Sequence, residues 1–547
     1  MANYKFIVSI IILLILGLEV KAQNRYAIHY KYKPQLTFSL ENPLDFLTTP
    51  SIERRIREGV TLDSLDLPVS EKYIALIRPF VDQMLYHSNW MNASVVIAKE
   101  DLVKKMQALD FVDSVVLIAK GFVPEGRQLN SNNPLTGMKA NKKKSLAITE
   151  APFDFQNALL GIKEMHELGY TGKGITVAIF DAGFPGVDQI PAFAHLFKNN
   201  QILGGKDFVD VWNNNVFTKN QHGTNVLSLM AANDPEVLLA AAPDAKYILC
   251  ITEEVPTEFR VEEYNWVKAA EYADSLGVDI INSSLGYWDF DDPFMDYSLD
   301  DMDGETAVIS KGASIASEKG ILVVTSVGNY GNRGQRSITA PADAKGILSV
   351  GATNMGMDRA FFSSQGPTAD GRIKPDVSTY GEQVWLIRSS GNLGRSSGTS
   401  FSAPQVAAFA AGLWQAKPKW TKSELIDEIL KSSSQSDKPD NLLGYGIPNF
   451  ARAYYGPVLG GITVEEQEWK IYPNPLKGSE LYIKFGQNID GEFSLIDLKG
   501  NILSRASLSR RDSRDAFMVE IPELPVGVYI VELQSGSDIK RTKLMKW

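Results

Sequence analysis

Four residues far apart in the chain could together carry out acyl transfer: Asp181, His222, Asn329 and Ser400. A serine hydroxyl is a weak nucleophile, so it needs a base to take its proton, a group that orients the base, and donors for the oxyanion that forms. Ser400 lies in Gly398-Thr399-Ser400-Phe401-Ser402-Ala403-Pro404, a small-residue turn that opens an alanine-rich apolar run. A helix beginning there would favour negative charge developing at the serine. Asp181 ends the apolar run Ile175 to Phe180, His222 begins His222-Gly223-Thr224-Asn225-Val226, and Asn329 sits in Ser326-Val327-Gly328-Asn329-Tyr330-Gly331. Each has a plainer reading in isolation. An aspartate after a strand is common, a histidine opening a helix is usually a cap, and an asparagine between glycines is a turn residue.

The elements that must position these groups alternate between strand and helix from about 150 to 453, which argues a parallel sheet covered by helices. The predicted central strands are 175–180, 247–251, 278–281, 321–325 and 347–350, and the predicted helices 222–232, 260–276, 305–319 and 400–415. Before them, residues 25 to about 123 mix strand patterns (26–30, 93–98, 115–119) with helical ones (72–85, 101–109), a small α+β domain. Pro124 to Glu150 is rich in Asn, Lys, Gly and Ser and reads as an exposed linker open to proteolysis. After a hinge at 454–461, residues 462–547 carry strand patterns at 481–485, 492–496, 518–521 and 527–533, a small β-sandwich.

With those motifs in the order Asp, His, Asn, Ser, the region 151–453 resembles the subtilisin-like serine proteases, or subtilases. The resemblance implies an α/β fold with a subtilisin-like parallel sheet flanked by helices. It also implies a serine endopeptidase in which Ser400 attacks, His222 moves the proton, Asp181 orients His222, and Asn329 stabilises the oxyanion with the Ser400 N–H. Peptide substrate would lie extended between Ser284-Leu285-Gly286 and Ser326-Val327-Gly328, with Ala340-Pro341-Ala342 at the far end of the first specificity pocket; nothing here fixes the preferred residue. Three positions depart from the family's habit: Ala182 for Ser or Thr, Asn225 for a second His, and Gln405 for the His often found after the proline. All lie off the proton path, so packing changes are expected without loss of catalysis. The N-terminal domain (23–123) resembles a subtilase prosegment, which assists folding and is then cut away. The stretches Ile471-Tyr472-Pro473-Asn474-Pro475, Gly527-Val528-Tyr529-Ile530-Val531 and Lys543-Leu544-Met545-Lys546-Trp547 resemble the C-terminal sorting domain of the type IX secretion system.

Composition agrees with export and argues against other classes. Lys5, the largely apolar run 6–18 and Val20-Lys21-Ala22 read as a signal peptide (1–22); a run of thirteen residues falls short of the roughly 20 that span a bilayer, and no later segment spans. A net charge of −10 repels phosphate backbones, so nucleic acid is not an expected partner. Polypeptide substrates and the type IX machinery are. With one cysteine, Cys250, the chain can form no internal disulfide. No cofactor is required on this reading. The stretch Tyr287 to Glu305 holds eight acids in nineteen positions, for which a solvated loop, an oxygen-lined Ca²⁺ site and an acidic rim for basic peptides all stand; weak or absent calcium dependence is expected. Two competing functions are a catalytically silent adhesin or scaffold of the same fold, and an esterase using the same triad.

Overall fold

The computed structural model describes residues 24–121, 153–456, 469–476, 478–485, 490–497, 500–509, 517–535 and 538–546. The predicted signal peptide 1–22, the linker Pro124–Glu150 and the later part of the predicted hinge lie outside them; the hinge's first residues instead continue a helix, Phe450–Tyr455. Chain contacts divide the protein into two units after Gly456.

The first unit is built on seven strands. Thr176–Asp181 is central; Lys246–Ile251 and then Ile202–Asp207 flank it on one side, and Ile280–Ser283, Leu322–Ser326, Leu348–Thr353 and Val377–Tyr380 follow on the other. Every pairing is parallel. Short apolar runs suit this sheet because helices cover both faces, and the central strand feeds both cores in alternation. Val177 and Ile179 join the core beneath the helices His222–Ala231 and Thr399–Ala416, whereas Ala178 and Phe180 join the one beneath Val261–Ser275 and Val308–Glu318. Strand order reverses between Thr176–Asp181 and Ile280–Ser283. A crevice for ligand opens at the carboxyl ends of strands at such a reversal. Cys250 lies on the neighbouring strand, fully buried, and burial drives its thiol pKa up.

Residues 24–121 form a four-stranded antiparallel sheet in the order Gln83–Ser88, Ala93–Ile97, Arg25–Tyr30, Val112–Ala119. Ala27, Val95 and Ile118 on one face share a core with Trp266 of the Val261–Ser275 helix. The helix predicted at 72–85 is shorter: Glu71–Ile77 is helical, Arg78–Phe80 is a single 3₁₀ turn, and Gln83–Ser88 is a strand. Pro79 explains the change, since it lacks an N–H and its ring crowds the preceding turn.

A helix that hydrophobic periodicity did not mark, Thr49–Glu58, ties this sheet to the rest of the unit through charge. Arg54 pairs with Asp274 and donates to the Val278 carbonyl at 2.8 Å. Arg55 bonds Asp274 at 2.7 Å and Asp66 at 2.8 Å, while Lys319 bonds Asp63 and Asp66, both at 3.0 Å. Arg54, Arg55, Asp66, Asp274 and Lys319 are all buried. Gly277, at φ +79°, turns the chain out of Val261–Ser275 directly beneath this helix, where a Cβ would come within 2.6 Å of Pro50.

The second unit has a three-stranded sheet (Trp469–Tyr472, Glu480–Phe485, Phe517–Glu520) and a four-stranded one (Ile502–Ser509, Asp490–Ile496, Gly527–Ser535, Asp538–Lys546). Leu481, Ile483, Phe493, Leu495, Val531 and Leu544 from the two sheets fill one core.

Removing one partner from a buried ionic cluster leaves the others uncompensated, at roughly 3–5 kcal/mol. Asp274→Asn is therefore expected to lower the unfolding midpoint of the uncut chain clearly, read in a Ser400→Ala background that prevents turnover. An unchanged midpoint would mean that Arg54 and Arg55 do not depend on this carboxylate.

Candidate active site

Asp181 ends the central strand, fully buried, at the carboxyl edge where strand order reverses. Its Oδ1 accepts the Ala182 N–H at 2.7 Å, and its two oxygens face His222 Nδ1 at 2.8 and 3.0 Å. His222 starts its helix, with its own N–H held by Asn220 Oδ1 at 2.9 Å. Gly223 lets that helix reach the aspartate loop, because a Cβ there would lie 2.4 Å from the Gly183 carbonyl. The ring retains 29% side-chain exposure. Burial opposes its protonation, but the Asp181 charge and hydrogen bond outweigh burial and raise it to about 9. Among the described residues Nε2 has no hydrogen-bond partner, so with Nδ1 bound to the carboxylate the free nitrogen is the one available to a substrate-side proton.

Ser400 occupies the first turn of Thr399–Ala416, and Phe401 brings its ring to 5.4 Å from the His222 ring. Ser400 Oγ makes no hydrogen bond among the described residues. The serine's carbonyl is shaped by Pro404, four residues on, which has no N–H to give it. Ser284 Oγ supplies the missing donor at 2.9 Å, linking the serine turn to the end of the neighbouring strand.

Asn329 is oriented by its neighbour. Thr399 N donates to Asn329 Oδ1 at 2.9 Å and Thr399 Oγ1 lies 3.0 Å from the same oxygen. A backbone N–H can only donate, so the side-chain oxygen must face it and Nδ2 is left free. That nitrogen sits at the serine turn, 3.7 Å from where a Cβ on Gly398 would be. On the flanking stretches, Ser326 Oγ donates to the Leu285 carbonyl at 3.4 Å, Val327 N to Val350 O at 3.0 Å, and Thr399 Oγ1 also reaches Gly328 O at 3.2 Å.

The structure thus joins Asp181 directly to His222, Asn329 to the residue before Ser400, and Ser284 to Ser400 itself. Sequence reasoning missed two groups. Thr399 was visible as part of the serine motif, but its hold on Asn329 is a tertiary contact. Glu253, two residues past the strand Lys246–Ile251, feels both members of the pair: burial and then the Asp181 charge raise it to about 7, against the opposing pull of His222. Of the departures from the family's habit, Gln405 donates to Tyr380 O at 2.8 Å and to Phe401 O at 2.7 Å, a packing role.

The acidic stretch 287–305 spends its carboxylates locally. Asp289, Asp292, Asp300 and Glu305 pair with Arg333, Lys120, Arg336 and Lys345. Asp291, Asp296, Asp301 and Asp303 accept backbone N–H groups of Glu258, Phe290, Ser298 and Glu305. Among the described residues no three His, Cys, Asp or Glu side chains converge as metal ligands would.

Three family models match the chain. Residues 172–446 match the subtilase family, 25–133 the peptidase S8 propeptide domain of Bacteroidota, and 470–546 a secretion system C-terminal sorting domain. A subtilisin from Bacillus pumilus is 30% identical over 272 residues, covering 48% of this chain and 86% of that one. Subtilisin E from Bacillus subtilis is also 30% identical over 272 residues, but the match spans only 62% of its length and 48% of this chain. The crystal structure of MycP1 with its N-terminal propeptide removed aligns at a TM-score of 0.45 and 22% identity, covering 56% of this chain and 98% of that one. The sorting domain marks the protein for type IX secretion and surface attachment, and no helix among the described residues is long and apolar enough to cross a membrane. The chain belongs to the subtilase family of serine peptidases, and carries that family's propeptide domain ahead of the peptidase and a sorting domain behind it.

Proposed function

We propose that the protein is an endopeptidase precursor in which Ser400, His222 and Asp181 form the catalytic triad and Asn329 the side-chain part of the oxyanion hole. The observation that carries this reading is the paired contact of Asp181 with His222 Nδ1, which fixes the tautomer able to accept a proton at Nε2. Ser400 Oγ attacks the peptide carbonyl carbon as its proton passes to His222. The carbonyl oxygen becomes an oxyanion, met by Asn329 Nδ2 and the Ser400 N–H. His222 then gives the proton to the leaving amine as the C–N bond breaks. Water, deprotonated by the same ring, hydrolyses the acyl-enzyme and restores the serine. Polypeptides are the substrates, and extended backbone between 284–286 and 326–328 is the binding mode. The propeptide domain is removed by a cut in the linker 124–150.

Intact mass and casein cleavage of the chain from Gln23, beside Ser400→Ala, test this reading. The natural sequence is expected to shed about 100 to 130 N-terminal residues and digest casein, with the variant whole and inert. Identical behaviour of the two would leave the silent-scaffold reading in its place.

Only the neutral imidazole accepts the serine proton, so kcat/KM is expected to climb with pH between about 6.5 and 9. Glu253, ionising near 7, adds its charge to the support of the imidazolium. Stability runs the other way. The folded pKa of His222 lies above its ordinary 6.5, so its contribution is fully present below about 6.5 and is lost as pH rises through about 9. A flat kcat/KM across that window would separate His222 from the rate-limiting proton.

Because the acids of 287–305 are engaged by cations and backbone donors, no cofactor is part of this proposal. Treating the mature enzyme with a calcium chelator is expected to move Tm by no more than about 4 °C, the equivalent of about 1 kcal/mol. A loss well beyond that would put a structural Ca²⁺ site into the account.

A further inference from the structure

The two stretches flanking the serine prolong neighbouring strands. The ladder between Ile280–Ser283 and Leu322–Ser326 ends at Ser283 opposite Thr325. Beyond it a third segment bridges both: Thr339 N donates to Val327 O at 3.2 Å, and Ala340 exchanges hydrogen bonds with Tyr287 at 2.9 and 3.1 Å. The crevice between the stretches is therefore closed at its base by Thr339, ahead of Ala340-Pro341-Ala342.

Both walls of that crevice are glycine where they meet Thr339. A Cβ on Gly286 would come within 2.2 Å of Thr339 Oγ1, and one on Gly328 within 2.8 Å of Oγ1 and 2.9 Å of Cγ2. One side chain thus touches both walls, and its residue is only 1% exposed. Its Oγ1 is buried and has no hydrogen-bond partner, although a lost hydrogen bond for such a group is costly. A substrate side chain entering between the two glycines meets a filled base.

We propose that Thr339 sets the length of the first specificity pocket, so that the enzyme cuts after small residues, alanine and serine, and discriminates against leucine and phenylalanine. Long side chains lose because neither glycine wall can retreat without moving backbone, and Thr339 occupies the volume they need. This inference rests on the reading of Ser400 as the nucleophile.

The test uses the full chain from Gln23, allowed to mature, and four peptides that differ only in the residue before the cut bond: Ala, Ser, Leu and Phe. The natural enzyme is expected to favour Ala and Ser over Phe in kcat/KM by more than about tenfold, the scale set by fit in a closed pocket. Thr339→Gly is expected to raise the Phe-to-Ala ratio at least about tenfold. Thr339→Val keeps the volume, so exclusion of Phe should persist. Equal cutting after Ala and Phe by the natural enzyme overturns the inference, with no variant needed. So does an unchanged Phe-to-Ala ratio in a Thr339→Gly protein that still reacts with a serine-directed fluorophosphonate. Inertness of the natural enzyme toward all four peptides and casein, as in Ser400→Ala, would instead overturn the catalytic reading, and this inference with it.

Discussion

A carboxylate with no solvent exposure ends the central strand, and its charge has to be answered where it stands. Burying an ionised group is tolerated only when hydrogen bonds and an opposing dipole or cation compensate it. The Ala182 N–H supplies one bond and His222 Nδ1 the other. That requirement fixes which imidazole nitrogen is free, how closely the His222 helix approaches, and why Gly223 has no side chain. Moving Asp181 along the strand by one residue would turn it from the edge of one core into the other, since neighbouring positions feed opposite faces of the sheet.

The helix that carries Ser400 meets a different constraint. Thr399–Ala416 is buried almost throughout and lined with alanines, so its backbone approaches the sheet closely. Its proline breaks the hydrogen-bond ladder at the one carbonyl that belongs to Ser400, and Ser284, just past the strand Ile280–Ser283, completes it. A gap in regular helix is thus used to tie the Ser400 turn to one of the two stretches proposed to hold substrate. Thr399 does the same for Asn329, binding the amide oxygen and so leaving the nitrogen to donate.

The central strands and the positions of the four candidate residues at strand ends and helix starts were legible in the sequence because each lies in a short, local pattern: an apolar run followed by Asp, or a small-residue turn followed by alanines. The edge strands were not. Ile202–Asp207 reads Ile-Leu-Gly-Gly-Lys-Asp, with no β-branched alternation, and is recruited only by pairing with Lys246–Ile251. The helix Thr49–Glu58 was invisible to hydrophobic periodicity because its buried positions are Ser51, Arg54 and Arg55. Thr339 carried no local signal at all, since what distinguishes it is contact with two glycines distant in the chain. Pro79, by contrast, was in plain view and should have ended the 72–85 helix early.

The buried arginines also bear on inheritance. The peptidase side of that contact keeps Asp274 for two guanidiniums and a side-chain-free turn at Gly277 for the helix that carries them. A propeptide borrowed from a relative without Arg54 and Arg55 would arrive at a carboxylate it cannot neutralise, however well its sheet fitted. Peptidase and propeptide domain are therefore matched at this contact by charge as well as by shape.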